Sequence, residues 1–407
     1  MNPEDWQEKK ISECIELVYG RGLPEKERKK GSVPVFGSNG IIGYHHESIV
    51  KAPGIIIGRK GSVGEVIFSK NDFWPIDTTY YVKVKKDNDI IFWYYFLKTL
   101  KLNQMNSHSA VPGLNRDNVY EILCLIPKLS EQKLIANILL KLDDKIELNQ
   151  QMNKTLEQIG QEIFKHWFVD FEFPNEEGEP YRSSGGEMVD SELGEIPKGW
   201  AIVKLDNYVN VIRGCSYRSD ELKPSNTALV TLKSIERGGG FKEDGLKSFI
   251  GEYKIEQIIQ PGEIVVAHTD LTQKAEVLGK PATVRRVKSF NILIASLDLA
   301  IVRPSNDSMN KEFLYFLLKK EDFQNHAYGY AKGTTVLHLD KKAIPEYQFN
   351  LPTKRLMNQF GEIVNTILNK MQIAELESNN LSSIRDALLP KLMSGEIRVK
   401  VPQDVNS

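Results

Sequence analysis

The chain has 407 residues, 41% hydrophobic and 26% charged, with a formal net charge of -1, which gives length for two or three soluble domains and excludes a fibrous or disordered polymer. Its polar opening MNPEDWQEKK and the lack of a run of about 18 apolar residues argue against secretion and membrane spanning, so the cytoplasm is the expected compartment. Cys14, Cys124 and Cys215 stand singly, without the paired spacing of a zinc site or a disulfide framework.

The near-zero charge is uneven along the chain. Residues 1–128 hold 18 Lys+Arg against 15 Asp+Glu, and residues 200–352 hold 21 against 18. Residues 129–173 hold 5 against 8, residues 174–199 hold 2 against 7, and residues 353–407 hold 7 against 6. Two mildly basic globules joined by acidic or neutral helix and linker permit nucleic-acid binding without requiring it.

Residues 1–128 read as a first globule of short strands, at about 33–36, 55–57, 65–68 and 80–84, punctuated by Gly, Pro and Asn and followed by a helix at 90–100. Residues 129–169 read as one long amphipathic helix. Leu134, Ile135, Ile138, Leu139, Leu142, Ile146, Met152, Leu156, Ile159, Ile163, Phe164 and Trp167 recur three or four apart, with no Pro. At 1.5 Å per residue its length is roughly 60 Å, more apolar stripe than one small domain can cover. Residues 170–199, rich in Gly, Pro, Ser and acid, read as a linker.

Residues 200–352 then repeat the first globule. Trp200 stands for Trp6, PGEIVVA for PGIIIG and LDLAIV for TTYYVKV, and the triplets Tyr95-Phe96-Leu97 and Tyr315-Phe316-Leu317 are identical. Residues 353–395 repeat the long helix through Phe360, Ile363, Ile367, Met371, Ala374, Leu381, Ile384, Leu388 and Leu392, and residues 396–407 form a tail. The chain is a duplication. The expected fold is α+β: two similar mixed domains joined by two long helices packed antiparallel, with a pseudo-two-fold relation between the halves.

No phosphate loop, dinucleotide fingerprint, zinc-protease helix or nucleophile elbow occurs, and the histidines lack metal-ligand spacing. The sequence therefore predicts no catalytic residue, no cofactor and no metal. Candidate DNA contacts lie instead in loops at matched places. In GRKGSVG (58–64) the glycines allow close backbone approach, Arg59 and Lys60 supply charge and Ser62 a hydroxyl; an Arg fork can also grip guanine at O6 and N7. The second half carries instead His268, Thr269, Asp270, Thr272, Gln273 and Lys274, polar groups suited to base edges. A second matched pair precedes each long helix, with Ser109 in SHSAVPGL and Lys332, Thr334 and Thr335 in KGTTVLHL, either touching phosphates or forming the turn that seats the next strand.

Taken together, FKHWFVDFEFP (164–174), GEPYRSSGG, LGEIPKGW (193–200), GRKGSVG, HTDLTQ, GTTVLHL and LLPKLMSGEI (388–397) make the chain resemble, along essentially its whole length, the specificity subunits of type I restriction-modification enzymes. The resemblance implies two target recognition domains, each reading one half of an asymmetric, interrupted DNA site. It also implies long helices that set the gap and dock two modification (methyltransferase) subunits, with ATP-dependent restriction subunits joining, and no catalysis by the chain itself. A self-sufficient restriction-methylation enzyme lacks its motifs here. A scaffold or orphan DNA-binding protein outside a restriction system would share the helices.

Overall fold

The computed structural model describes residues 5–105, 113–272 and 275–399. They form two compact units, one comprising Met1–Gln150 with Glu375–Ser407 and the other Gln151–Ala374. The helices Leu129–Phe168 and Lys354–Met393, 40 residues each, therefore each contribute a segment to both units.

In the first unit, Gln7–Lys10 pairs antiparallel with Leu123–Ile126, tying the start of the globule to the residues that enter the long helix. A four-stranded antiparallel sheet runs in the order Ile15–Tyr19, Thr79–Val84, Gly54–Gly58, Val66–Ser69. Its strand Gly54–Gly58 is buried throughout, which is why GIIIG reads as an unbroken apolar run rather than an alternating one. A smaller sheet orders Gly40–His45, Val33–Gly37 and Trp74–Pro75, the last pair parallel. The helix Ile90–Thr99 starts at Asp89, whose carboxylate accepts the amides of Ile91 and Phe92.

The second unit repeats this plan. Ala201–Lys204 pairs with Gln348–Leu351, and the sheet order is Val209–Arg213, Leu299–Pro304, Ile264–Ala267, Pro281–Thr283. Thr227–Val230 runs parallel to Ile292–Ala295, as Val33–Gly37 does to Trp74–Pro75. The helix Lys311–Lys319 starts at Asn310, whose side chain accepts the Phe313 amide. The tyrosine of each Tyr-Phe-Leu triplet donates to a carboxylate of the first long helix: Tyr95 to Asp143 at 2.5 Å and Tyr315 to Glu157 at 3.2 Å.

Within each unit the long-helix segments run antiparallel, since contacts advance along one as they retreat along the other. In the first unit Arg398, just past the helix end, meets Glu131, and on the helix Arg385 meets Asp143 and Glu377 meets both Lys145 and Asn149. In the second, Asn153 donates to the Met371 carbonyl and Phe164 packs on Phe360. The seam departs from the expected stripe. Met152, Ile159, Ile363 and Ile384 are exposed, whereas Asn149, Gly160 and Val364 are buried. Periodicity counts apolar residues without knowing which face a polar pair will take. Here Asn149 with Glu377 and the Asn153–Met371 contact occupy the seam. At Gly160 a Cβ would lie 2.5 Å from the Phe316 ring, so the ring fills space that only glycine leaves.

Residues 170–199 are more than a tether. Phe171, Phe173 and Ile196 are buried in the core of the second unit, and the Phe173 ring stacks on Trp200 at 5.4 Å and on Tyr181 at 4.5 Å. Composition marks the segment as irregular, correctly, but three apolar side chains among many polar ones suffice to fasten it.

Candidate nucleic-acid interface

The two halves bring their candidate loops together in the same way. In the first, the Leu114 amide donates to the Arg59 carbonyl at 2.9 Å and Lys60 bridges Gly113. In the second, the Leu339 amide donates to the His268 carbonyl at 2.8 Å and Thr269 pairs with His338. The Arg59 amide donates to Thr78 and the His268 amide to Asp298. The Gly20 amide donates to Thr79 and that of Gly214 to Leu299. These bonds superimpose the two frameworks residue by residue: Tyr19 on Arg213, Arg59 on His268, Lys60 on Thr269, Tyr80 on Ala300, and Arg116 on Lys341. Gly20 and Gly214 are fixed by close approach, because a Cβ would fall 2.1 Å and 2.0 Å from the carbonyl oxygens of Ile76 and Ser296.

On this common frame the side chains differ. In the first half the guanidinium carbons of Arg59 and Arg116 lie 5.1 and 5.0 Å from the centroid of the exposed Tyr19 ring. Arg59 also donates from Nε and Nη2 to the Asp77 carbonyl, at 3.2 and 2.8 Å. That edge of the fork is committed, leaving Nη1 and the remaining Nη2 hydrogen for a ligand. Lys60 is exposed and Ser62 half-buried in the loop, which Gly61 and Gly64 close at φ +78° and +76°. The Tyr80 ring fills the sheet beneath, its hydroxyl donating to the Leu114 carbonyl at 3.1 Å.

In the second half Arg213 is exposed, and a cleft of about 640 Å³ is lined by Asp206, Arg213, His268, Thr269, Ala300, His338 and Lys341 among others. His268 is pushed down to a pKa of about 4 by burial and, second, by the charge of Arg213, so it is neutral at physiological pH. Its Nε2 is buried and has no hydrogen-bond partner among the described residues. Thr269 Oγ1 lies 3.5 Å from His338 Nδ1.

Asp270 is a correction to the sequence reading. It is buried, and its carboxylate accepts the Thr272 amide and hydroxyl at 2.7 and 2.8 Å and the Val277 and Leu278 amides at 2.7 and 3.2 Å. Although burial opposes it, these bonds hold the carboxyl below its usual range. Asp270 builds its own loop and presents nothing to a base, and the Thr272 hydroxyl is spent on it. Lys332 is exposed and paired with Asp340 at 2.5 Å; Thr334 and Thr335 are exposed beside it. Ser109, Gln273 and Lys274 lie outside the described residues.

Tyr19, Arg116, Arg213 and Lys341 escape motif reading because they sit singly, two at strand ends, one at a helix start and one in a turn. A signal existed for two of them: Leu114-Asn115-Arg116 and Leu339-Asp340-Lys341 are the same Leu, Asn/Asp, base triplet. Asn115 and Asp340 each accept the amide two residues on, at 2.8 and 3.0 Å.

A duplicated frame presenting different polar surfaces at equivalent positions defines a protein with two non-identical recognition modules. Residues 3–158 match the family model described as the type I restriction modification DNA specificity domain. Among curated proteins, the MjaIX type I restriction enzyme specificity subunit of Methanocaldococcus jannaschii is 28% identical, the match covering 98% of this chain and 95% of that one. The HindI specificity subunit of Haemophilus influenzae is 24% identical over 82% of this chain and 84% of its own. A solved S subunit from M. genitalium shares the fold, with a TM-score of 0.60, 17% identity and 97% of each chain covered. Along nearly its whole length the chain is similar to the specificity subunits of type I restriction-modification enzymes. Among the described residues no helix is long and apolar enough to cross a membrane.

Proposed function

We propose that the chain gives a type I restriction-modification complex its DNA sequence specificity, each half reading one part of a two-part site, without itself catalysing methylation or cleavage. The observation that carries this reading is the matched pair of frames with unlike side chains: an Arg-Tyr-Arg plate in the first half and a cleft with a neutral histidine in the second. A protein reading a palindrome would carry like groups at equivalent places; one reading an asymmetric site needs unlike ones. Within this reading Arg59, Lys60, Ser62, Ser109, His268, Thr269, Thr272, Gln273, Lys274, Lys332, Thr334 and Thr335 belong to the DNA-facing loops.

The long helices set the gap between the half-sites. Their exposed Leu148, Met152, Ile159, Ile363, Ile373 and Ile384 supply apolar contacts for two modification subunits, with restriction subunits added to that core. The complex acts in the cytoplasm, and the chain needs no cofactor of its own.

The test is to co-express the chain with a methyltransferase partner and map the methylated bases. An asymmetric motif of two short blocks separated by a fixed gap is expected; a continuous or palindromic motif overturns the reading. Turnover of S-adenosylmethionine by the purified chain without partner would overturn the non-catalytic part.

A further inference from the structure

The frames superimpose Tyr80 on Ala300. Both lie on the strand next to the candidate loops, Tyr80 opposite Ile57 and Ala300 opposite Val266. In the first half the tyrosine ring occupies the space beneath the loop and is almost fully buried. In the second, Ala300 takes that place and lines the cleft of about 640 Å³. The neighbouring position changes in the complementary sense, from the aromatic Tyr19 to the cation Arg213.

What lines the cleft is specific. The Arg213 guanidinium makes no hydrogen bond or ion pair among the described residues and is free to donate. Lys341 is exposed at the rim. His268 Nε2 is buried without a partner, an arrangement that costs free energy unless a ligand supplies the missing bond. A phosphate would be drawn by charge, and cations at the rim serve that purpose. A neutral imidazole brings no charge to attract a phosphate but can exchange a directional hydrogen bond with a base.

Resting on the specificity-subunit reading, we propose that the two halves recognise DNA by different means at one shared place. The first presents the Tyr19–Arg59–Arg116 plate to the groove. The second admits a base edge into the cleft over Ala300, where Arg213 and His268 Nε2 select it and Lys341 holds the adjoining phosphate. The single exchange of Tyr80 for Ala300 separates a closed surface from an open one.

The experiment uses the chain assembled with its methyltransferase partner and compares native, Arg213→Ala, His268→Gln and Ala300→Tyr complexes by motif mapping and by titration against DNA varied in one half-site at a time. Arg213→Ala and Ala300→Tyr should each weaken binding by about 5- to 150-fold, the range of one good base contact. Both should relax preference at one or two positions of the second block and leave the first block unchanged. His268→Gln should alter preference in that block with an unchanged salt slope. Arg213 is exposed, so its variant tests the proposal even where Ala300→Tyr fails to fold. Unaltered second-block preference in both Arg213→Ala and His268→Gln overturns the cleft proposal while a bipartite native motif leaves the specificity reading standing. Uniform weakening on all sequences with a lower salt slope overturns it too, as phosphate binding. A native complex without a bipartite motif overturns both.

Discussion

The first and second halves share strand order, caps and hydrogen-bond register, yet at the loops they differ in nearly every property that matters for recognition. The first half spends its polar groups on a cationic plate backed by buried aromatics. The second has an alanine in the lining of its cleft, a neutral histidine and a self-satisfied aspartate. The lesson is that the frame tolerates wholesale change at these positions because its stability lies elsewhere: in fully buried strands, in capped helices, and in the tyrosines joined to the long helix. Recognition can diverge between the halves without endangering the fold.

The largest effect should come from breaking what the halves hold in common. Four residues inserted into one long helix alone move Asp143 away from Arg385 and Asn149 away from Glu377, and misalign the seam. Losing these part-buried contacts together with the apolar register of the seam should show in thermal unfolding as a large drop in midpoint or no folded protein. Matched insertions of four in both helices should instead keep the seam and lengthen each helix by roughly 6 Å. The modified motif should then keep both blocks and gain roughly 1 to 2 base pairs between them. An unchanged gap with full activity would show that the helices do not set it.

Acid should separate the halves next. At pH above about 6.5, His268 is neutral both folded and unfolded, and its contribution is constant. As pH falls from about 6.5 towards about 4, the unfolded chain binds a proton that the folded chain refuses, and stability is lost, up to about 3 kcal/mol. Below about 4 the loss stops growing. Hydrogen exchange across this window should show the second unit loosening more than in His268→Gln; equal loosening in both proteins would assign the acid sensitivity to other groups.

Arg59→Ala should act on recognition rather than stability. Its exposed guanidinium should account for about 1 to 3 kcal/mol of binding, with relaxed preference at one position of the first block only. A change in the second block would contradict the independence of the halves. The smallest effect belongs to Lys60, which is exposed and makes no ion pair among the described residues. Lys60→Ala should weaken binding uniformly across sequences and lower the salt slope by about one, leaving the motif intact; altered base preference would make Lys60 a reader.

The duplication, the two long helices, the matched loops and the family resemblance were legible in the sequence, because helical periodicity, caps and repeated motifs are local or survive copying. The seam's register was not. Ile363 and Val364 are adjacent and both apolar, and which one is buried depends on where Asn149, Asn153 and Gly160 place their partners. The fastening of Phe173 between Tyr181 and Trp200 was hidden by the polar residues around it. Asp270 looked like a reader because a carboxylate in a polar loop shows its chemistry but not its partners, and four donors had already claimed it. Arg213 and Ala300 carried no motif at all. They become a site only when antiparallel pairing sets Leu299–Pro304 beside both Val209–Arg213 and Ile264–Ala267. Spacing along the chain fixes what a segment can bury against itself. The juxtaposition of side chains from three separate strands is decided by hydrogen-bond register in the folded sheet.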